Sequence, residues 1–159
     1  MTSAVKTIDE RQAAHPRDVR TYDTQGLRND FLIERIFVPG EIALTYSHYD
    51  RMIVGGAMPA AKPLTLEPYP PAGTPFFLAR RELGVINLGG AGSVTVDGQV
   101  LDLPGLDALY VGLGAKNVSF SSATAADPAK FYLTSAPAHR EAPHQVIRKD
   151  EANTLHLGT

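Results

Sequence analysis

The stretch that decides the fold is Ser93-Val94-Thr95-Val96-Asp97-Gly98-Gln99-Val100-Leu101-Asp102-Leu103. An Asp-Gly pair between two short runs favours a two-residue β-hairpin, because both central residues of that turn need a positive φ. The stretch therefore predicts two antiparallel strands, residues 93–96 and residues 99–103.

Short strands separated by turn residues continue on both sides of this hairpin. They are predicted at residues 31–38, 41–48, 51–58, 74–80, 83–88, 107–111, 117–121, 130–135 and 145–149, with helical turns at 24–30 and 150–153. No stretch keeps a 3.6-residue apolar period. Regularly spaced short strands indicate an all-β sandwich or barrel, and the order of strands resembles that of a cupin-like jelly roll.

Two segments interrupt the strand pattern. Six of the 12 prolines fall between residues 59 and 75, which predicts a loop or an extended edge segment, because proline lacks the N–H that a central strand needs. Residues 1–20 mix charges without periodicity and are predicted to form a partly ordered N-terminal arm. The cupin-like domain then covers residues 21–159.

Length and composition exclude several classes of protein. The 159 residues suit one domain, and 15 basic against 17 acidic residues argue against nucleic-acid binding. The absence of cysteine excludes disulfides, cysteine-ligated metal and a thiol nucleophile. No apolar run approaches the ~20 residues of a membrane helix, and the first 20 residues are no secretory signal. We expect a cytoplasmic protein that does not contact a membrane.

The cupin metal motif can be tested on this sequence, because its ligand positions have a known spacing. The four positions fall on Phe76, Leu78, Glu82 and Asn117, and only Glu82 is a good donor. Zinc needs three or four imidazole, carboxylate or thiolate ligands. We therefore predict no metal site in this chain, and we expect Glu82, which follows Arg80-Arg81, to form an ion pair.

Several runs in order give a specific resemblance that extends from about Val19 to the C-terminus. The chain resembles the N-terminal half of the 4-deoxy-L-threo-5-hexosulose-uronate ketol-isomerase family. The runs are Asp23-Thr24-Gln25-Gly26-Leu27-Arg28-Asn29, Tyr46-Ser47-His48-Tyr49-Asp50-Arg51, Ile53-Val54-Gly55-Gly56-Ala57-Met58-Pro59, Arg80-Arg81-Glu82-Leu83-Gly84-Val85-Ile86-Asn87, Gly89-Gly90-Ala91-Gly92, Asp107-Ala108-Leu109-Tyr110-Val111-Gly112 and Ser135-Ala136-Pro137-Ala138-His139.

The resemblance implies a two-cupin isomerase of pectin and uronate breakdown. Its reaction interconverts 5-dehydro-4-deoxy-D-glucuronate and 3-deoxy-D-glycero-2,5-hexodiulosonate, and its zinc belongs to the second cupin. This sequence contains no His-x-His and ends about where that cupin would begin, so no metal ligand can be carried over. We expect the chain to be inactive alone. The alternative is a non-catalytic cupin module for oligomerisation or acidic-sugar binding.

Four residues are candidates for binding a uronate-derived sugar acid: Tyr46, His48, Asp50 and Arg51. They form a dense polar and aromatic run beside an apolar strand, and a guanidinium group suits bidentate binding of a carboxylate. A catalytic residue cannot be named. We also expect a homo-oligomer or packing against a second cupin domain, because a face built for a partner exposes apolar surface when alone.

Overall fold

The computed structural model describes residues 5–155 and 157–158 of the chain. The elements in these residues are mostly short strands, together with two short α-helices and two 3₁₀ turns. They are β1 (Val5–Arg11), α1 (Pro16–Val19), α2 (Thr24–Phe31), β2 (Ile42–Ser47), β3 (Ile53–Ala57), β4 (Leu64–Thr65), a 3₁₀ turn (Pro70–Ala72), β5 (Arg81–Asn87), β6 (Gly92–Val96), β7 (Gln99–Leu103), β8 (Ala108–Val111), β9 (Val118–Ser122), β10 (Phe131–Pro137), β11 (Gln145–Ile147) and a second 3₁₀ turn (Lys149–Glu151).

The strands form two sheets with the topology of a jelly roll. One sheet has the order β1-β2-β3-β10-β5-β8-β11 and the other has the order β4-β9-β6-β7. Strands β3 to β10 thus supply four strands to each sheet, and among these eight strands consecutive ones pair within one sheet at β6–β7 alone. Strands β2 and β3 form a second hairpin in the larger sheet. This is the double-sheet jelly roll typical of cupins. The all-β prediction is confirmed, and the two sheets form a sandwich without joining into a closed barrel.

The predicted hairpin is present between β6 and β7. Asp97 and Gly98 both have a positive φ, 46° and 90°, as the tight turn requires. The Asp97 carboxylate also accepts the backbone N–H groups of Lys116 and Asn117 at 3.1 and 2.8 Å. These bonds attach the turn to the segment that leads into β9.

One hydrophobic core lies between the two sheets. Both sheets contribute buried apolar side chains to it, and the rings of Phe120 and Phe131 meet across it with centroids 5.5 Å apart. Full burial of such a side chain stabilises the fold by roughly 1.5–3 kcal/mol. Strand β5 shows how the core is formed: Arg81, Leu83, Val85 and Asn87 alternate inward, and the residues between them are more accessible.

Residues 31–38 do not form the predicted strand, because Phe31 ends α2 and residues 32–38 have no ladder. A Cβ added to Gly56 of β3 would lie 2.3 Å from the Ile36 carbonyl oxygen and 2.9 Å from the Phe37 ring. The segment therefore covers the outer face of the larger sheet. Ile36 and Phe37 are partly buried there without strand pairing, whereas Phe31 and Leu32 are exposed.

Residues 74–80 also differ from the prediction, since they form turns and bends. Phe77 and Leu78 nevertheless enter the core, and the Gly114 N–H bonds the Leu78 carbonyl at 2.9 Å.

The proline-rich segment before them is an edge segment as predicted: it contains the edge strand β4. Buried Tyr69 anchors it by donating to the Leu44 carbonyl at 2.9 Å.

The N-terminal arm contains a strand from residue 5 onward, while residues 1–4 lie outside the described part. Strand β1 pairs in parallel with β2, and Glu10 aligns with Tyr46. The sequence of β1 shows no alternation of apolar and polar residues, so it does not by itself predict a strand. The strand forms by pairing with β2. Within residues 5–155 and 157–158, no helix is long and apolar enough to cross a bilayer.

Candidate functional site

Polar residues gather on the inner face of the larger sheet, at the end where β2 turns into β3. Tyr46 of β2 aligns with Ile53, which in turn aligns with Ser135 of β10. Arg81 begins β5 next to Ser135, and its side chain enters the same region. We call this region the β2–β3 mouth and define it by Tyr46, Arg51, Arg81 and Ser135.

Two of the predicted candidates, Tyr46 and His48, meet in the structure. Tyr46 is near the end of β2 and His48 follows directly after the strand, and their ring centroids are 5.1 Å apart with planes at 69°. The His48 Nε2 lies 2.6 Å from the Glu10 carboxylate and 3.2 Å from Gln12. A histidine ring nitrogen can donate or accept a hydrogen bond, depending on its tautomer.

The other two candidates, Asp50 and Arg51, occupy the centre of the turn between β2 and β3. Their φ angles are 52° and 54°, and the Met52 N–H bonds the Tyr49 carbonyl at 3.3 Å. Both side chains are exposed. Left-handed backbone at a non-glycine residue costs about 1–3 kcal/mol, and such outliers cluster at ligand sites.

Arg81 is the mouth residue that the sequence analysis missed. It is 5% exposed, and its Nε donates to the Ser135 hydroxyl at 3.0 Å. Its Nη2 donates to the carbonyls of Ser135 at 2.8 Å and of Arg51 at 2.5 Å. Burial, and then the nearby positive charge of Arg51, lower the pKa of the Arg81 guanidinium, while Tyr46 acts in the opposite direction. The signal for Arg81 in the sequence was its inward alternation with Leu83 and Val85.

Glu82 lies on the opposite face of β5 from Arg81 and Leu83, because successive strand residues point to opposite faces. Its carboxylate accepts a hydrogen bond from the Tyr110 hydroxyl at 2.8 Å, which raises the pKa of Tyr110. The expected ion pair of Glu82 is wrong, since no cation of the described residues lies within ion-pair distance of it. A tyrosine hydroxyl satisfies this carboxylate instead.

The donors in the described residues do not fit the zinc that the resemblance implies for the full-length family enzyme. No three His, Cys, Asp or Glu side chains of residues 5–155 and 157–158 lie close enough to hold one ion. Three or four such donors are needed for a zinc site. No chemical step is therefore derived through a metal in this domain.

A second depression lies on the outer side of the larger sheet, between α2 and strands β1 and β2. It is an open groove of about 680 Å³. Two ion pairs flank it: Arg11 with Asp9 at 2.7 Å, and Arg28 with Glu34. Ile8 and Leu32 also line it and are largely exposed. Arg35 also lines the groove, and none of the printed ion pairs of the described residues includes it. The rest of the surface is partly apolar, so the groove combines apolar and charged side chains, as protein contact surfaces do.

Comparison with known proteins gives a consistent result. The family model described as the KduI/IolB family matches residues 35–159. A curated relative from Formosa agariphila, named 4-deoxy-L-threo-5-hexosulose-uronate ketol-isomerase, is 54% identical over 151 residues, covering 95% of this chain and 54% of the relative. A relative of the same name from Escherichia coli O45:K1 is 51% identical over 153 residues, covering 95% of this chain and 55% of the relative.

Solved structures give a more distant likeness. A cupin protein described as RmlC-like, from Desulfovibrio desulfuricans, shares 19% identity with a TM-score of 0.43, covering 59% of this chain and 78% of that one. The chain spans about half the length of the curated relatives it matches.

Proposed function

Since this chain belongs to the KduI/IolB family, we propose that it forms the N-terminal half of a ketol-isomerase that acts on a uronate-derived sugar acid. The observation that carries the proposal is the 54% identity to a ketol-isomerase across 95% of the chain. The reaction interconverts 5-dehydro-4-deoxy-D-glucuronate and 3-deoxy-D-glycero-2,5-hexodiulosonate as part of pectin and uronate breakdown.

The proposed division of labour follows from the residues of this domain. A ketol isomerisation needs an electrophile at the carbonyl and a group that moves a proton between adjacent carbons. The described residues hold no donor set for a metal electrophile, so we assign that role, and the zinc, to the remaining half of the relatives' length. The zinc and the cytoplasmic location remain predictions.

This half contributes substrate contacts in the proposal. Arg51 is the candidate for the sugar carboxylate, with Tyr46 beside it, and Asp50 is a candidate for a hydroxyl group. His48, whose Nε2 contacts the Glu10 carboxylate, can donate to or accept from a sugar hydroxyl at the rim of the mouth. All four roles rest on placement around the β2–β3 mouth.

The test joins this chain to a polypeptide that completes the relatives' length and measures isomerisation with added zinc. We expect turnover by the completed protein and none by the chain alone. In the completed protein, Arg51→Ala should raise KM by about tenfold or more with little change in kcat, since a charged hydrogen bond contributes about 1.5–3 kcal/mol. Arg80→Ala, at an exposed neighbouring arginine, is the matched control.

Each outcome decides a separate claim. An inactive completed protein would overturn the isomerase proposal. Normal turnover by the chain alone would place the reaction in this domain and contradict the division of labour. An unchanged KM in Arg51→Ala would remove Arg51 from the substrate site.

A non-catalytic role in assembly is the second candidate, and the outer groove favours it. Ile8 and Leu32 line the groove, and Leu27 and Phe31 of α2 are also exposed. Exposed apolar side chains of this size commonly mark contact surfaces. Light scattering on Phe31→Asp tests it: a loss of self-association supports assembly through this face, and an unchanged mass contradicts it. Glu34→Asp is a control that keeps the groove's charge.

A further inference from the structure

The charge at the β2–β3 mouth is unbalanced. Arg81 is 5% exposed, and buried guanidinium groups are normally paired with a carboxylate. Neither Arg81 nor Arg51 has a carboxylate within 4.0 Å among the described residues. Every acceptor that Arg81 bonds is neutral: one hydroxyl and two carbonyls. The burial cost of this cation is therefore not offset by an anion of the described chain.

The unused donors of Arg81 are open to an incoming group. Its Nε and Nη2 are occupied, while Nη1 has no partner in the described residues. Yet no buried side-chain nitrogen or oxygen of the described residues lacks a hydrogen bond, so Nη1 must reach the surface. The same reasoning applies to the Tyr46 hydroxyl, whose residue is 7% exposed. Each group therefore keeps a donor that an incoming acceptor at the mouth can use.

The strained turn holds Arg51 next to Arg81. The Arg51 backbone has a φ of 54°, and its carbonyl accepts from Arg81 Nη2 at 2.5 Å. The exposed Arg51 side chain leaves from the same residue. The positive charge of Arg51 acts on Arg81 and helps to lower the pKa of its guanidinium. Since no carboxylate of the described residues lies within 4.0 Å of either arginine, the mouth is complementary to a small oxyanion.

We propose that Arg81, Arg51 and Tyr46 form a carboxylate subsite that captures the acid group of a small sugar acid. The Arg81 Nη1 donates from within the mouth, the Arg51 guanidinium closes over the carboxylate from the turn, and the Tyr46 hydroxyl donates to a carboxylate oxygen. The inference rests on the proposed function only for the choice of a sugar acid. Capture of the carboxylate does not require turnover.

The probe is sodium D-glucuronate, with D-glucose as the matched sugar that lacks the carboxylate and inorganic phosphate as a competing oxyanion. Titration of the purified chain is followed by calorimetry and by the NMR signal of the arginine Nε–H groups. We expect glucuronate to bind and to shift the Arg81 signal, and glucose to do neither. Equal responses to glucuronate and glucose, or a response to phosphate only, would overturn the proposal.

Variants locate the binding. We expect Arg51→Gln to weaken glucuronate binding by about tenfold or more, and Tyr46→Phe to weaken it severalfold. Arg81→Met should abolish it, and Arg81→Lys should not restore it fully, because lysine lacks the planar fork. Arg80→Gln should bind as the unaltered chain does.

Folding is checked by circular dichroism before each titration. If Arg81→Met does not fold, Arg51→Gln and Tyr46→Phe still decide the outcome, because unchanged affinity in both would refute the subsite. Glucuronate capture by a protein that proves inactive after completion would leave this inference standing while overturning the isomerase proposal. Turnover by the completed protein, with glucuronate binding unchanged in all these variants, would support the isomerase proposal and overturn this inference.

Discussion

Strand β5 buries one polar side chain at each of its ends, Arg81 at the start and Asn87 at the finish. Asn87 uses its whole hydrogen-bonding capacity: its amide donates to the carbonyls of Gly90 at 2.8 Å and Leu103 at 2.7 Å. Its oxygen accepts the N–H groups of Gly89 at 3.0 Å and Lys130 at 3.2 Å. Among the described residues, Arg81 leaves Nη1 unused and has no carboxylate partner.

The difference separates a structural residue from a candidate binding residue on the same strand. A buried amide with four bonds can gain nothing from a ligand, and its network specifies how the loops around β6 and β10 are held. A buried guanidinium with spare donors gains a partner when an anion arrives. Burial and polarity alone would not distinguish the two positions.

The largest effect is expected for Asn87→Ala. It removes four hydrogen bonds at a 0% exposed position and leaves backbone groups unpaired, so we expect a loss of about 3–5 kcal/mol in the free energy of unfolding. Chemical denaturation measures it. The control is Asn29→Ala on the exposed face of α2, where a change within about 0.5 kcal/mol is expected. A small loss of unfolding free energy in Asn87→Ala would contradict a structural role for Asn87 at this end of β5.

Arg81→Met should lower the free energy of unfolding by less, about 1–2 kcal/mol. Methionine fills much of the volume of the arginine side chain, and the substitution removes a buried charge that has no carboxylate partner among the described residues. Arg80→Met is the exposed control and should leave the free energy of unfolding unchanged. If Arg81→Met were as destabilising as Asn87→Ala, then Arg81 would be a structural residue and the contrast between the two ends would collapse.

Arg51→Gly should stabilise the chain by about 1 kcal/mol, since glycine adopts a positive φ without the steric cost that arginine bears. It should also weaken glucuronate binding. Leu106→Gly is the matched control, because Leu106 has a φ of 73° at the Asn87 end and lies outside the mouth. It should gain stability without losing affinity. Parallel loss of affinity in both variants would contradict a role for the Arg51 side chain.

The smallest effect concerns acid stability at the Asn87 end. The Lys149 N–H at 2.9 Å and the Arg148 guanidinium at 2.8 Å lower the pKa of Asp107, whose carbonyl accepts from Asn87. A lowered pKa in the folded state stabilises above the unfolded value of about 3.9, and this contribution is lost as pH falls through the folded pKa.

Chemical denaturation at several pH values between 2.5 and 7 tests this contribution of Asp107. The stability difference between the unaltered chain and Asp107→Asn should shrink below about pH 4. The difference for Arg81→Met should stay constant over the same range, because Arg81 has no carboxylate partner. A pH-dependent difference at Arg81 would reveal an acidic partner and weaken the case for an anion subsite.

Much of the fold could be predicted because its signals are local. The Asp97-Gly98 turn and the strands around it follow from turn chemistry, and both were confirmed. The failures at residues 31–38 and 74–80 share a cause. Ile36 and Phe37 lie against the sheet and Phe77 and Leu78 fill the core, and sequence does not distinguish such packing from strand pairing. Strand β1 has no apolar pattern at all.

The candidate site was predictable only in part. The contact of Tyr46 with His48 joins residues close together in sequence, but Glu10 reaches His48 through the β1–β2 pairing. Arg81 was readable as inward-facing from its alternation with Leu83. Its lack of a carboxylate partner was not readable, because that depends on every segment that surrounds it.

The sequence by itself determined the strand-and-turn order, the jelly-roll class and the family likeness, since these depend on residues that are neighbours along the chain. Tertiary structure decided which polar groups meet at the β2–β3 mouth, which donors stay unused and that Glu82 faces away from the core. Those properties depend on residues far apart in sequence. The free energy of burying a polar group depends on the hydrogen-bond and charge partners that the fold places around it.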